Sequence, residues 1–150
     1  MPKVSKLKVV IDTNLLISAI IIPQTNPDKV IQIWKKDIFI LLVSQQLMSE
    51  LEDVISRKKF LNYHAVFKER GEELIASLKA AAEAVDPLPV KKLPIHSRDP
   101  KDDYLLATAF GGKADYLVTG DEDLLTLSTN PSLGILKIAS VRQFLSAIKA

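Results

Sequence analysis

Residues 113–125 read KADYLVTGDEDLL: an apolar run, a glycine, then Asp121 and Asp123 with one residue between them, then leucines. The same construction stands at 7–20, LKVVIDTNLLISAI, where an apolar run meets Asp12. A short apolar run bounded by turn residues predicts a strand buried on both faces. Strands are thus expected at 7–11 and 116–119, with others at IFILLV (38–43) and GILKI (134–138). The segment VDPLPVKKLP (85–94) holds three prolines and offers only a short or edge strand.

Helical patterns fill the intervals. One runs through NLLISAII to a stop at Pro23, one through KVIQIWKK, and one through 45–60 behind Ser44 as N-cap. A stretch at 63–84 contains Gly71, where a break is expected, and another spans about 100–111. A short turn follows Asp121, and SVRQFLSAIKA (140–150) is amphipathic, with Val141, Phe144, Leu145 and Ile148 on one stripe. Strands separated by helices imply right-handed crossovers. The expectation is a three-layer α/β/α fold with a central parallel sheet of about four to five strands, a single domain over 1–150.

Composition narrows the chemistry. Hydrophobic residues make up 47% and charged ones 25%, ordinary for a globular chain. Without cysteine there is no thiolate nucleophile, disulfide or zinc–thiolate site. A net charge of +2 is too small to announce nucleic acid by itself. Neither a signal-peptide pattern nor an apolar run of membrane-spanning length is present in the sequence, so a cytoplasmic location is expected. His64 and His96 are too few and too isolated for histidine-based catalysis; loop or surface positions suit them. Trp34, Phe39 and Phe60 read as core.

In open parallel sheets, ligands bind beyond the carboxyl ends of the strands, where strand order switches. Asp12 and Asp121 follow their strands at that end. At about 100° per residue, Leu105, Leu106 and Ala109 share a face with Asp102, while Asp103 falls to one side. In the helix after Ser44, Leu47, Leu51 and Val54 face inward and Glu50 borders them. Each acid also has a structural use: Asp99, Pro100 and Asp102 form a favourable helix start, and Asp12 or Asp121 can cap a turn. The functional reading is conjunctive. Four carboxylates gathered at one sheet edge repel one another unless a cation lies between them, and oxygen-only donors favour Mg²⁺ or Mn²⁺. The spacing of a calcium-binding EF-hand loop is missing after Asp121.

Four motifs in order, VVIDTNLLISA, SQQLMSELEDVI, DPKDDYLLATA and KADYLVTGDEDLL, together resemble the PIN domain family, near the toxin branch related to VapC. The resemblance spans nearly the whole chain. It places the family's acidic quartet on Asp12, Glu50, Asp102 and Asp121, with Asp123 a further acid and Thr13 and Thr119 as hydroxyls beside them. It implies a Mg²⁺- or Mn²⁺-dependent endoribonuclease using one or two ions, the toxin of a toxin–antitoxin pair, with an antitoxin partner and a homodimeric state. Arg98, Arg57 and Lys58 are the expected contacts to the RNA backbone. The rival is a catalytically silent PIN-like module that binds RNA or protein. A receiver domain would need adjacent acids after the first strand, and a haloacid-type phosphatase would need an acid where Asn14 stands.

Overall fold

The computed structural model describes residues 6–57 and 65–148. Lys58, Phe60 and His64 lie outside that range, and the expectations placed on them stop there. Five strands form one parallel sheet: β1 (Lys8–Ile11), β2 (Ile40–Val43), β3 (Glu83–Ala84), β4 (Tyr116–Val118) and β5 (Lys137–Ala139). Their order is β3-β2-β1-β4-β5, so the chain reverses direction across the sheet between β1 and β4. Val9 pairs with Tyr116, Val10 with Leu117 and Ile11 with Val118. The central strands are apolar on both sides because both sides are covered: Val9, Val10, Leu117 and Val118 are 0% exposed.

The helices are α1 (Thr13–Ile21), α2 (Asn26–Lys35), α3 (Gln45–Ser56), α4 (Ala65–Ala81), α5 (Asp103–Gly111), α6 (Glu122–Leu125) and α7 (Val141–Ile148). Right-handed crossovers place α1–α4 on one face of the sheet and α5–α6 on the other. The pairing agrees: α1 packs on α2, α3 and α4, and α5 packs on β1, β2 and β4. Helix α7 lies against β4, β5 and α2, and its Phe144 meets Phe39 and Tyr116 edge to face. Trp34 and Phe39 are core residues, as expected. Among the described residues, no helix is long and apolar enough to cross a membrane.

Local chemistry sets the boundaries. Helix α1 ends at Ile22, extended at φ −126° and ψ 110°, because Pro23 bars its predecessor from helical geometry. Ser44 caps α3, its Oγ accepting the Leu47 N–H at 3.2 Å. Three expectations need correction. Helix α4 runs through Gly71 without a break: a Cβ there would stand 3.2 Å from Ile55 Cγ2, so the glycine serves close packing of α4 on α3. The third strand precedes the prolines rather than including them. It occupies the sheet edge at Glu83–Ala84, and the proline segment forms only a 3₁₀ turn, Val90–Lys92. Strand β5 starts later than expected, since a 3₁₀ turn (Pro131–Leu133) and Gly134, at φ +61°, precede it.

Candidate metal centre

The reversal between β1 and β4 brings two strand ends side by side. The Asp12 N–H donates to Val118 O at 2.9 Å, extending the ladder by one rung. Asp12 is the N-cap of α1, with Oδ1 accepting the Asn14 N–H at 3.0 Å. Its Oδ2 accepts from the Thr119 hydroxyl at 2.7 Å, and Thr119 Oγ1 in turn accepts the Asp121 N–H at 3.0 Å. Thr119, 0% exposed, therefore ties the two strand ends together. Asp121 caps α6 through the Asp123 N–H at 2.9 Å.

Asp102 arrives from the opposite helical layer. It closes a 3₁₀ turn (Pro100–Asp102), begun by Asp99 accepting the Lys101 N–H, and it precedes α5 without making a cap hydrogen bond of its own. One carboxylate oxygen from each of Asp102, Asp121 and Asp123 lies within 4.8 Å of the others. Asp12 stands beside this trio, and Glu50, exposed on α3, faces the same cavity of about 500 Å³. Asp12, Glu50, Asp102 and Asp121 thus line one cavity, while Asp123 joins Asp102 and Asp121 in the trio without lining it.

The electrostatics are those of crowded like charges. Burial pushes the Asp12 carboxyl above its usual range; the Thr119 and Asn14 hydrogen bonds pull it back, and the Asp121 charge adds to the rise. Asp102 is pushed up to about 7, first by burial, then by its hydrogen bond and repulsion with Asp121, then by Asp99 and Asp12. Its Oδ2 is buried and has no hydrogen-bond partner among the described residues. An orphaned acceptor of this kind carries a desolvation cost. Hard oxygen donors around an unpaired carboxylate oxygen fit a divalent cation such as Mg²⁺ or Mn²⁺.

The hydroxyl positions adjoin the acids: Thr13 is buried, and its Oγ1 lies 3.0 Å from the Tyr104 hydroxyl. Tyr104, pushed up to about 12 by burial and then by Asp12, Glu50 and Asp102, lines the cavity, as does Lys101. Neither was singled out from the sequence. Tyr104 lay off the apolar stripe of its helix, and Lys101 read as part of a helix start. Arg98 is exposed, with Nε 3.9 Å from Asp123 Oδ1. Arg57 bonds Asp53 at 3.1 Å on its own helix and does not line the cavity.

Asp102 and Asp103 exchange their expected environments. Asp103 is the buried one, accepting the Ser97 N–H at 2.8 Å and facing His96 Nδ1 at 3.0 Å. The 3₁₀ turn is the reason: at three residues per turn it rotates Asp102 toward the strand ends and Asp103 inward, away from the α-helical spacing. His96 is on an exposed loop, as expected, but its ring is engaged.

A family model described as PIN domain matches residues 8–123, from the first residue of β1 through the last acid of the trio. The chain belongs to the PIN domain family. PIN domains are generally a nuclease fold, and those that are nucleases usually bind divalent metals. This PIN domain is 27% identical over 145 residues to an uncharacterized protein of Methanocaldococcus jannaschii, MJ1680, covering 93% of this chain and 90% of that protein. Its fold matches the crystal structure of PAE2754 from Pyrobaculum aerophilum with a TM-score of 0.61 at 14% identity, covering 96% of each chain.

Proposed function

We propose that this PIN domain is a Mg²⁺- or Mn²⁺-dependent endoribonuclease. The observation that carries the reading is the trio Asp102, Asp121 and Asp123 with an orphaned, buried Asp102 Oδ2 beside Asp12. Asp12, Asp102, Asp121 and Asp123 would hold one or two ions, and Glu50, facing the cavity from α3, would hold an ion or orient water. A bound ion supplies positive charge to the phosphate oxygens and lowers the pKa of water.

The chain's own residues do the rest. Thr119 fixes Asp12 Oδ2 and the Asp121 backbone at once, so the two strand ends cannot drift apart. Thr13 and Tyr104 join the start of α1 to α5, holding the floor of the cavity. Arg98, at the rim and nearly free of its long contact to Asp123, meets the RNA backbone. Water attacks phosphorus in line, the leaving ribose oxygen departs with a proton, and no covalent enzyme intermediate forms. Arg57, exposed and paired with Asp53, lies outside the cavity lining and would meet only RNA that extends beyond it.

The resemblance to the VapC branch supports a toxin role, with an antitoxin segment covering the acids and a homodimer as the resting form. Solution mass and a neighbouring antitoxin-like reading frame test those two statements. The hydrolytic reading is tested by incubating a structured RNA with the protein in Mg²⁺, Mn²⁺ or EDTA. Cleavage with either ion, abolished by EDTA and reduced about 100-fold or more by Asp12→Asn, is expected. Full metal-dependent activity in Asp12→Asn would defeat the assignment.

A further inference from the structure

The connector between β3 and α5 carries Lys91, Lys92, Arg98 and Lys101, against a single acid, Asp99, within 91–101. The Asp99 carboxylate is already committed to the Lys101 backbone N–H. Elsewhere, Lys6, Lys35, Arg57, Lys68, Arg70 and Lys79 each pair with a carboxylate, while Lys8, Lys29, Lys36, Lys113, Lys137 and Arg142 are scattered singly and make no ion pair among the described residues. Lys91, Lys92 and Lys101 make no ion pair among the described residues, and Arg98 reaches Asp123 only at 3.9 Å. Lys101 is unpaired although it lines a cavity rich in carboxylates.

The connector is pinned where it passes α5. Leu88 N–H donates to Ala107 O at 2.9 Å, and Ser97 N–H to Asp103 Oδ1 at 2.8 Å. These anchors are one helical turn apart on α5, and at the far end of the connector Lys101 lines the acidic cavity. Between them exposure alternates: Leu93, Ile95 and Ser97 are buried, while Lys92, Pro94, His96 and Arg98 are exposed. The backbone is not extended here: a 3₁₀ turn (Val90–Lys92) and bends at 94–95 and 98–99 fold the connector. From Lys92 to Arg98 the chain spans at most about 20 Å. Three buried side chains hold the connector against the fold and leave its cations outside.

We propose that Lys91, Lys92, Arg98 and Lys101 form a phosphate-binding track that leads a single RNA strand along α5 into the acidic cavity. The track rests on the ribonuclease reading for its direction but not for its existence, since binding needs no hydrolysis. Unpaired cations approach the strand at little cost because no internal ion pair has to break first.

The test is binding of a fluorescent single-stranded RNA in EDTA, where nothing is cut, as salt is raised from about 50 to about 200 mM. The variants are Lys91→Gln/Lys92→Gln and Arg98→Gln/Lys101→Gln. The control is Lys36→Gln/Lys113→Gln, two exposed lysines at the amino edge of the sheet. Each track pair should lower the slope of log affinity on log salt by about 1.4, so that wild-type affinity falls about sevenfold more than the variant's across that range. The control should keep the wild-type slope, and all variants should keep the wild-type melting temperature. Equal loss in the control, no loss in the track pairs, or no binding by the wild type would each overturn the track. Cleavage in Mn²⁺, measured alongside, separates the two claims. RNA cut with unchanged slopes removes the track alone, whereas altered slopes without any cutting remove the hydrolytic reading alone.

Discussion

Two half-hidden groups of charge in this molecule are resolved in opposite ways. Asp28, on α2, is buried, yet both its oxygens are served by the protein: Oδ2 accepts the Gln24 N–H at 2.8 Å, and Oδ1 accepts from Gln32 at 3.3 Å. Arg70 stands 3.7 Å from it and also donates to Ala19 O and Ile20 O, closing the last turn of α1. At the sheet reversal Asp102 has no ion pair among the described residues. Asp102 faces Asp121, Asp99 and Asp12, and one of its oxygens has no partner. Asp28, which serves structure, is neutralised by an arginine of the fold itself. The trio's ion pair among the described residues is with Arg98, 3.9 Å from Asp123 but 84% exposed, whereas Arg70 is 32% exposed and tied to α1 as well.

That contrast is sharpened most strongly by Asp102→Asn. It should remove cleavage by about 100-fold or more while leaving the metal-free protein at least as stable as wild type, because repulsion is relieved. A large drop in melting temperature would place Asp102 with Asp28 instead, as a structural acid. Next comes Thr119→Val, which cuts the bridge between Asp12 and the Asp121 backbone. Metal affinity should weaken about 10–100-fold, read by calorimetry. Unchanged affinity would show that strand pairing alone positions the two acids.

Arg70→Met tests the other side of the comparison. It leaves Asp28 without its cation, and since both groups are partly solvated the expected loss is about 1–3 kcal/mol. That corresponds to about 2–4 °C per kcal/mol in melting temperature, with cleavage per folded molecule preserved. A variant that melts normally but loses cleavage would contradict the division of roles.

The smallest effect is on pH. Asp102 titrates at about 7 in the fold against 3.8 in the unfolded chain, and Asp12 is shifted the same way. Between those values the folded form holds a proton that the unfolded form has lost. Metal-free stability should therefore fall as pH rises from about 4 to about 7 and level off above it. Saturating Mg²⁺ should lift stability most at the upper end of that window. Stability rising through it, in EDTA, would mean the acids are compensated from within.

Much of this was legible in the sequence, for reasons the structure makes plain. Apolar runs such as VVI and YLV are read easily because a parallel sheet buries both faces; VVI runs straight into Asp12, and YLV reaches Asp121 after Thr119 and Gly120. The Ser44 cap and the stop at Pro23 follow from backbone chemistry that neighbours cannot override. What escaped depended on distant partners or irregular geometry. A wheel drawn at α-helical spacing cannot foresee the 3₁₀ turn that exchanges Asp102 and Asp103. Gly71 looked like a breaker because Ile55, its packing partner, sits on another helix. A two-residue edge strand leaves no periodic signal, and Tyr104 matters only through a hydroxyl that meets Thr13 across the fold.

Calorimetric titration of Mn²⁺ into the metal-free protein, alongside Asp102→Asn, reaches the central point without any substrate. Saturable binding of one or two ions to the wild type, abolished or strongly weakened by the substitution, is the outcome expected of carboxylates assembled to share a cation. No binding at millimolar Mn²⁺, or identical binding in both proteins, would mean that the orphaned oxygen at the sheet reversal has some other purpose.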